Sequence, residues 1–203
     1  DPMHSWKHVL DASEYNLGVF INSLKLGCDC LGEIHYFDTH HVTWEGKVKT
    51  TENAICMHEE DYGIQWKHHD ASSQTTEVRR SRRLVISSIF TVGNYDYGFY
   101  WYLYLDGTIQ MEVKLTGIVG VSAVTEQTYN PSQAPLIGEG LASPVHQHSF
   151  CFRLDWEIDG GENSLYETEI ELVPIGENNP DGTQFRAVTT QLSTESAAKR
   201  NIA

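Results

Sequence analysis

The sequence predicts a mainly β protein, an antiparallel β-sandwich or part of one. Three observations carry this. Several segments alternate apolar and polar residues, and they recur at short spacing with Gly, Asn or Asp turn signals between them. Aromatic and β-branched residues crowd those segments. Only the tail, Ser193–Arg200, reads as helical, with Ser193 or Thr194 as a possible N-cap.

Taken in order, Arg83–Val92 (RLVISSIFTV) has the length and Val/Ile content of a buried strand. Gly98–Leu105 (GFYWYLYL) is an aromatic-rich run, and Asp106-Gly107 after it is a hairpin signal. Thr108–Thr116 alternates Ile109, Met111, Val113 and Leu115 against polar partners, as a strand with one wet face does. Glu126–Ala142 is punctuated by Gly and Pro and is expected to be loop. Ser149–Ile158 alternates again, with Phe150, Phe152, Leu154 and Trp156 on one face and the turn Asp159-Gly160-Gly161 at its end. Leu165–Val173 is the last strand, and Asn178–Thr183 (NNPDGT) is a turn.

The charge balance excludes one class of partner. Against 14 Lys and Arg stand 28 Asp and Glu, a formal net charge of −14 over 203 residues. Phosphate backbones would be repelled, so nucleic acid is not expected as a partner. No window approaches a transmembrane run of apolar residues, and no membrane partner is expected. The opening DPMHSWKHVLD has no basic and apolar leader pattern, and both ends read as cuts through a longer protein. Four cysteines, Cys28, Cys30, Cys56 and Cys151, are too few for a disulfide scaffold, and Cys28-Asp29-Cys30 lacks zinc-ribbon spacing.

Four constellations could carry chemistry. His146-Gln147-His148 puts two imidazoles on one side of a strand, half of a Cu, Zn, Fe or Ni site. Two partly exposed histidines in a His-rich chain are the plainer reading. Thr91-Val92-Gly93-Asn94-Tyr95-Asp96-Tyr97 reads as a strand end and a turn through Gly93-Asn94, with Tyr95 an ordinary core tyrosine on composition alone. Cys56-Met57-His58-Glu59-Glu60-Asp61 is dense in potential ligands but is expected to be a solvated strand edge. The basic island Arg79-Arg80-Ser81-Arg82-Arg83 is expected to pair with nearby carboxylates.

Seven stretches carry a resemblance: LDASEYNLG, NSLKLGCDCLGEIHYFD, NAICMHEEDYGIQWKH, RRSRRLVISSIFTVGNYDYGFYWYLYLDGTI, KLTGI, HQHSFCFRLDWEIDG and NPDGTQFRAV. In these the chain resembles the catalytic domain of the copper-containing (topaquinone) amine oxidases, in their bacterial and fungal branch. The stretches span essentially the whole chain in the family's order, and the NYDY and HQH motifs are individually specific.

The resemblance implies a role for particular residues. Tyr95, flanked by Asn94 and Asp96, matches the tyrosine that the family oxidises to topaquinone with copper and dioxygen. His146 and His148 match two of three copper ligands. Asp11 matches the catalytic base, and Cys30 and Cys56 match a disulfide pair. The implied chemistry is oxidative deamination: a primary amine condenses with the quinone carbonyl, Asp11 takes a proton from the carbon beside nitrogen, and aldehyde, ammonia and hydrogen peroxide leave. The family's β super-sandwich, of which residues 1–203 would be a single incomplete domain, and its homodimer are implied in the same way.

The chain also departs from the pattern. The third copper histidine would lie beyond Ala203, a quinone-bonding tyrosine would fall before Asp1, and Val9 stands where some members carry a gating tyrosine. Residues 1–203 alone are therefore expected to be inactive. Relatives are peroxisomal, cytoplasmic or secreted, with peroxisome or cytoplasm favoured. A non-catalytic β-sandwich binding domain that retains the family sequence is the alternative. A cupin-like metal dioxygenase would share the H-x-H pair but leave Tyr95 without a role.

Overall fold

The computed structural model describes residues 11–200. These fall into two compact units, one running to His146 and the other starting at Gln147. The fold is mainly antiparallel β.

The first unit is built on a five-stranded meander in the order β1-β2-β3-β4-β5. Its strands are β1 (Ile34–Val42), β2 (Val48–Asp70), β3 (Thr75–Val92), β4 (Tyr95–Tyr104) and β5 (Ile109–Gly117). Two of its turns follow directly from the sequence. Val92 pairs with Tyr95, so Gly93 and Asn94 alone close β3 onto β4, and Gly93 takes φ +62°, which side chains disfavour. Between β4 and β5 the carboxylate of Asp106 accepts the Thr108 amide at 2.9 Å, and Gly107 takes φ +85°.

β2 and β3 are longer than their apolar runs suggest. Strand β1 pairs with β2 only up to His58, and β4 pairs with β3 only down to Arg83. Beyond those points β2 and β3 continue as a two-stranded arm, kinked where the register shifts near Ile64. A lone hairpin is marginal in water, and here ion pairs brace it. Arg80 pairs with Asp61, Arg82 with Glu59, and Arg83 with Glu60. The basic island thus finds its carboxylates across the ladder, as expected. Of Cys56–Asp61, expected at a solvated edge, Cys56–His58 instead lie between β1 and β3, while Glu59–Asp61 lie on the two-stranded arm with β3 alone beside them. The charged half of the run thus keeps its exposure to water while meeting arginines across the ladder.

The core of this unit is small: Leu24, Cys30 and Cys56 are buried, with Ile34, Tyr36 and Ile89 packed against them. Three short strands, β6 (Ser122–Ala123), β7 (Leu136–Gly138) and β8 (Leu141–Ala142), form a second sheet in the order β6-β8-β7. They fall within or beside the segment expected to be loop. Runs of two or three residues are too short to show a period of two.

In the second unit, β9 (Tyr166–Leu172) pairs antiparallel with β10 (Phe185–Gln191). Asn179, 1% exposed, holds the intervening turn: its amide donates to the Val173 carbonyl at 2.7 Å and its Oδ1 accepts the Thr183 amide at 3.0 Å. Thr194 caps the 3₁₀ turn Glu195–Ala198 by accepting the Ala197 amide. Segment 149–158 corrects an expectation, since it is not a strand. Alternation makes a strand only where a ladder partner stands alongside. No β-ladder among the described residues includes this segment, and Phe150, Leu154 and Trp156 are 38%, 50% and 41% exposed.

The Arg83–Glu60 pair sets a pH dependence. Glu60 accepts both Nε and Nη2 of Arg83, at 3.0 and 2.8 Å. Partial burial pushes this carboxyl up, but the bonds from Arg83 and His58 together outweigh it and hold Glu60 below its usual range. A lowered folded pKa contributes stability that is present above the unfolded value, about 4.3 for Glu, and is lost as pH falls through the folded one. Glu60→Gln should therefore cost stability at neutral pH, and the gap to wild type should narrow below about pH 4.3. Denaturant titrations across that range measure it, and a gap independent of pH would contradict the assignment.

Candidate functional site

Tyr95 is the first residue of β4, directly after the tight turn. It faces Val92 on one side and Gly117 of β5 on the other. Gly117 takes φ +97°, and a Cβ there would stand 2.5 Å from the Asn94 carbonyl oxygen and 2.9 Å from the Cα of Tyr95. Only glycine lets β5 pass this close. The Asn94 carbonyl then accepts the Ile118 amide at 2.7 Å, which ties the turn to the chain leaving β5.

The Tyr95 hydroxyl meets an imidazole and a backbone amide. It lies 3.0 Å from Nε2 of His146, and the Gly120 amide donates to it at 3.0 Å. On the other side of the ring, Nδ1 of His146 is 2.8 Å from the Pro144 carbonyl, which can only accept. Nδ1 therefore carries the proton, and in the neutral imidazole Nε2 keeps its lone pair and accepts from the Tyr95 hydroxyl. The Tyr95 and His146 rings stand 5.8 Å apart, and those of Tyr95 and Tyr97 6.3 Å apart. Burial, with Tyr95 beside it, raises the Tyr97 phenol. Asp96, next on the strand, points the other way. It lines a cleft of about 410 Å³ with Asn22, Leu24 and Ile89, so that cleft is not the surroundings of the Tyr95 hydroxyl.

Asp11 caps the 3₁₀ turn Ala12–Tyr15. Its Oδ1 accepts the Ser13 amide at 2.9 Å and the Ser13 hydroxyl at 2.6 Å. The chain then runs through a second 3₁₀ turn, Leu17–Phe20, to dock on β3. Ile21 bridges Phe90, the Asn22 amide donates to the Ile89 carbonyl at 2.8 Å, and Asn22 Nδ2 donates to Thr91 Oγ1 at 3.0 Å. The Asp11 segment is thereby fastened to the end of β3 that turns into Tyr95. Val9 lies outside the described residues. His148 belongs to the second unit.

Cys30 and Cys56 are brought together in the core, 6% and 0% exposed. Both are free thiols in this structure, as are the exposed Cys28 and Cys151. Burial, then the hydrogen bond to Cys30, pushes the Cys56 thiol up to about 12. Cys56, His58 and Glu60 share one face of β2: Cys56 Sγ is 3.5 Å from His58 Nδ1, and His58 Nε2 is 3.0 Å from Glu60. This face is a structural relay into Arg83, and among the described residues no group of three His, Cys, Asp or Glu is placed to hold a metal ion. The run that looked dense in ligands is spent on hydrogen bonds and ion pairs.

Of a metal shell, the first unit presents one imidazole. His146 offers an unprotonated nitrogen whose tautomer is set from behind by a backbone carbonyl, the usual arrangement of a metal-bound imidazole, and that nitrogen faces the phenol oxygen. Sequence reasoning passed over Gly117, Gly120 and Pro144. Isolated glycines and a proline in an irregular segment carry no periodic signal, and only their partners reveal their use.

The family model described as copper amine oxidase, enzyme domain, matches residues 1–203. The chain belongs to the copper amine oxidase family. It is 51% identical over 199 residues to a primary amine oxidase of Arthrobacter sp. (strain P1), covering 98% of this chain and 30% of that protein. It is 45% identical to a peroxisomal copper-containing diamine oxidase of Nicotiana tabacum, over 99% of this chain and 26% of that one. This copper amine oxidase chain thus spans about 30% of the length of the bacterial relative. Among solved structures, a copper-containing benzylamine oxidase from Hansenula polymorpha matches with TM-score 0.77 and 31% identity, over 87% of this chain and 28% of that one.

The thiol geometry generates a test. Native-state alkylation followed by mass spectrometry should label Cys28 and Cys151 and spare Cys56, whose thiol is buried and protonated. If the Cys30–Cys56 disulfide forms in solution, the pair should weigh two hydrogens less and be labelled only after reduction. Labelling of Cys56 in the folded protein would contradict the packing.

Proposed function

We propose that this chain is part of the catalytic domain of a copper-dependent primary-amine oxidase, and that Tyr95 is the precursor of its quinone cofactor. The observation that carries the reading is the 3.0 Å contact between the Tyr95 hydroxyl and Nε2 of His146. It joins the cofactor tyrosine and a copper ligand, two residues assigned independently by family motif. Residues 1–203 are read as one incomplete domain, with Cys30 and Cys56 its disulfide pair.

His146 and His148 would hold the copper ion. Once bound, copper and the quinone made from Tyr95 supply the two-electron chemistry that converts a primary amine, dioxygen and water to aldehyde, ammonia and hydrogen peroxide. The chain's own residues do the rest. The Pro144 carbonyl holds the His146 proton on Nδ1, so Nε2 keeps its lone pair. The Gly120 amide pins the oxygen of residue 95, and the turn at Gly93-Asn94 with the Gly117 crossing holds the backbone beneath it. Asp11 accepts the proton from the amine's α-carbon. The Ser13 amide and hydroxyl both engage Oδ1 and so fix the plane of that carboxylate.

The substrates are a small primary amine and dioxygen. The full-length protein is read as a homodimer, with peroxisome or cytoplasm favoured over secretion. Relatives from Nicotiana tabacum and Pichia angusta are named as peroxisomal, and no helix among the described residues is long and apolar enough to cross a membrane.

Copper added aerobically to the full-length protein should convert Tyr95, and its peptide should gain two oxygens and lose two hydrogens. An unmodified peptide from copper-loaded protein would remove Tyr95 from this role. Asp11→Asn should leave that conversion intact and slow amine turnover by about 10²–10⁴-fold. Turnover at the wild-type rate would move the base to another carboxylate, with Glu14 the next to test.

A further inference from the structure

The short ladder beside Tyr95 stops in an informative place. In β6 and β8, Ser122 pairs with Ala142 and Ala123 with Leu141, and just beyond them the Val124 amide donates to the Gly140 carbonyl at 2.9 Å. Directly bonded antiparallel pairs recur at every second residue. Stepping from 124/140 through 122/142, the next such pair is Gly120 with Pro144. That pair would exchange two bonds, Gly120 N–H to the Pro144 carbonyl and an amide at 144 to the Gly120 carbonyl. Proline has no N–H, so the exchange cannot close.

Each backbone group released by the failure has a new partner. The Gly120 amide donates to the Tyr95 hydroxyl at 3.0 Å. The Gly120 carbonyl accepts the Ser143 hydroxyl at 3.2 Å in place of the missing amide. The Pro144 carbonyl accepts Nδ1 of His146 at 2.8 Å. One broken ladder pair thus leaves a donor aimed at Tyr95 and an acceptor aimed at His146. The fit is close: a Cβ at Gly120 would stand 2.9 Å from the Tyr95 oxygen.

We infer that the interrupted Gly120/Pro144 pair is a positioning device for Tyr95 and His146, with Ser143 the positioning residue that clamps the Gly120 peptide in its redirected orientation. The inference rests on the reading of Tyr95 as cofactor precursor and names residues outside the motif that serve it. None of the three touches substrate. They act by setting where the Tyr95 oxygen and the His146 lone pair point.

The test uses the full-length protein and two readouts, hydrogen exchange at the Gly120 amide in the metal-free protein and the rate of Tyr95 conversion after copper and air. Ser143→Ala should speed exchange at Gly120 roughly fivefold, the factor one ordinary hydrogen bond commands, and slow conversion by a similar factor. Ser143→Thr, which keeps the hydroxyl, should restore both. Pro144→Ala guards against a variant that merely misfolds. It returns an amide to the ladder, so the thermal midpoint should hold or rise while Tyr95 conversion slows roughly tenfold, the two moving apart where simple damage would lower both. Unchanged exchange and conversion in Ser143→Ala, or wild-type conversion in Pro144→Ala, would overturn the device. If wild-type protein leaves Tyr95 unmodified, the proposed function falls, and exchange at Gly120 in Ser143→Ala still decides the clamp.

Discussion

One hydrogen bond, from the Tyr95 hydroxyl to Nε2 of His146, ties together two stretches of chain that local structure would leave apart. Tyr95 belongs to the five-stranded meander, whereas His146 follows the small sheet after β8. Neither position tolerates much freedom. β4 is held between β3 and β5 by continuous ladders, and the His146 ring is held through Nδ1 by the backbone. The turn at Gly93-Asn94, the Gly117 crossing and the Gly120 and Pro144 backbone groups all converge on these two side chains.

The cost of that arrangement falls on the backbone. Gly117 adopts a conformation that side chains avoid and stands where a Cβ would collide with the Asn94 carbonyl. The β6–β8 ladder forgoes a pair at Pro144. The two features lie on either side of the Ile118–Gly120 stretch, so the strand leaving the meander is bent toward Tyr95 at one end and released from pairing at the other. Strain and unmade pairs concentrate where a protein needs a group aimed rather than merely buried.

Elsewhere the molecule uses ordinary means. Cross-strand ion pairs carry the arm of β2 and β3 beyond the sheet, and Arg83 lies between the rings of Tyr62 and Tyr102, 4.7 and 3.9 Å from their centroids. Such pairs at the surface are worth little singly, but here they alternate along a single hairpin and include a two-point contact with Glu60. The same face of β2 runs from the buried thiols through His58 to Arg83. That continuity commits the ligand-type side chains of the segment to hydrogen bonds and an ion pair.

The sequence by itself determined the strand-rich class, the turns at Gly93-Asn94 and Asp106-Gly107, the pairing of the basic island, an N-cap at Ser193 or Thr194, and the family. Each is a local matter, settled by periodicity, by a glycine at a turn, or by a specific motif. It misjudged Ser149–Ile158, where alternation was present but no ladder partner stands among the described residues. It also overlooked the strands within 122–142, too short to show a period. Only the tertiary structure decided that His146 turns its lone pair to Tyr95 and that Pro144 frees the groups aiming both site residues. Those facts depend on which residues face one another across a register. Register is set by the folded sheet as a whole and is written in no single stretch of the chain.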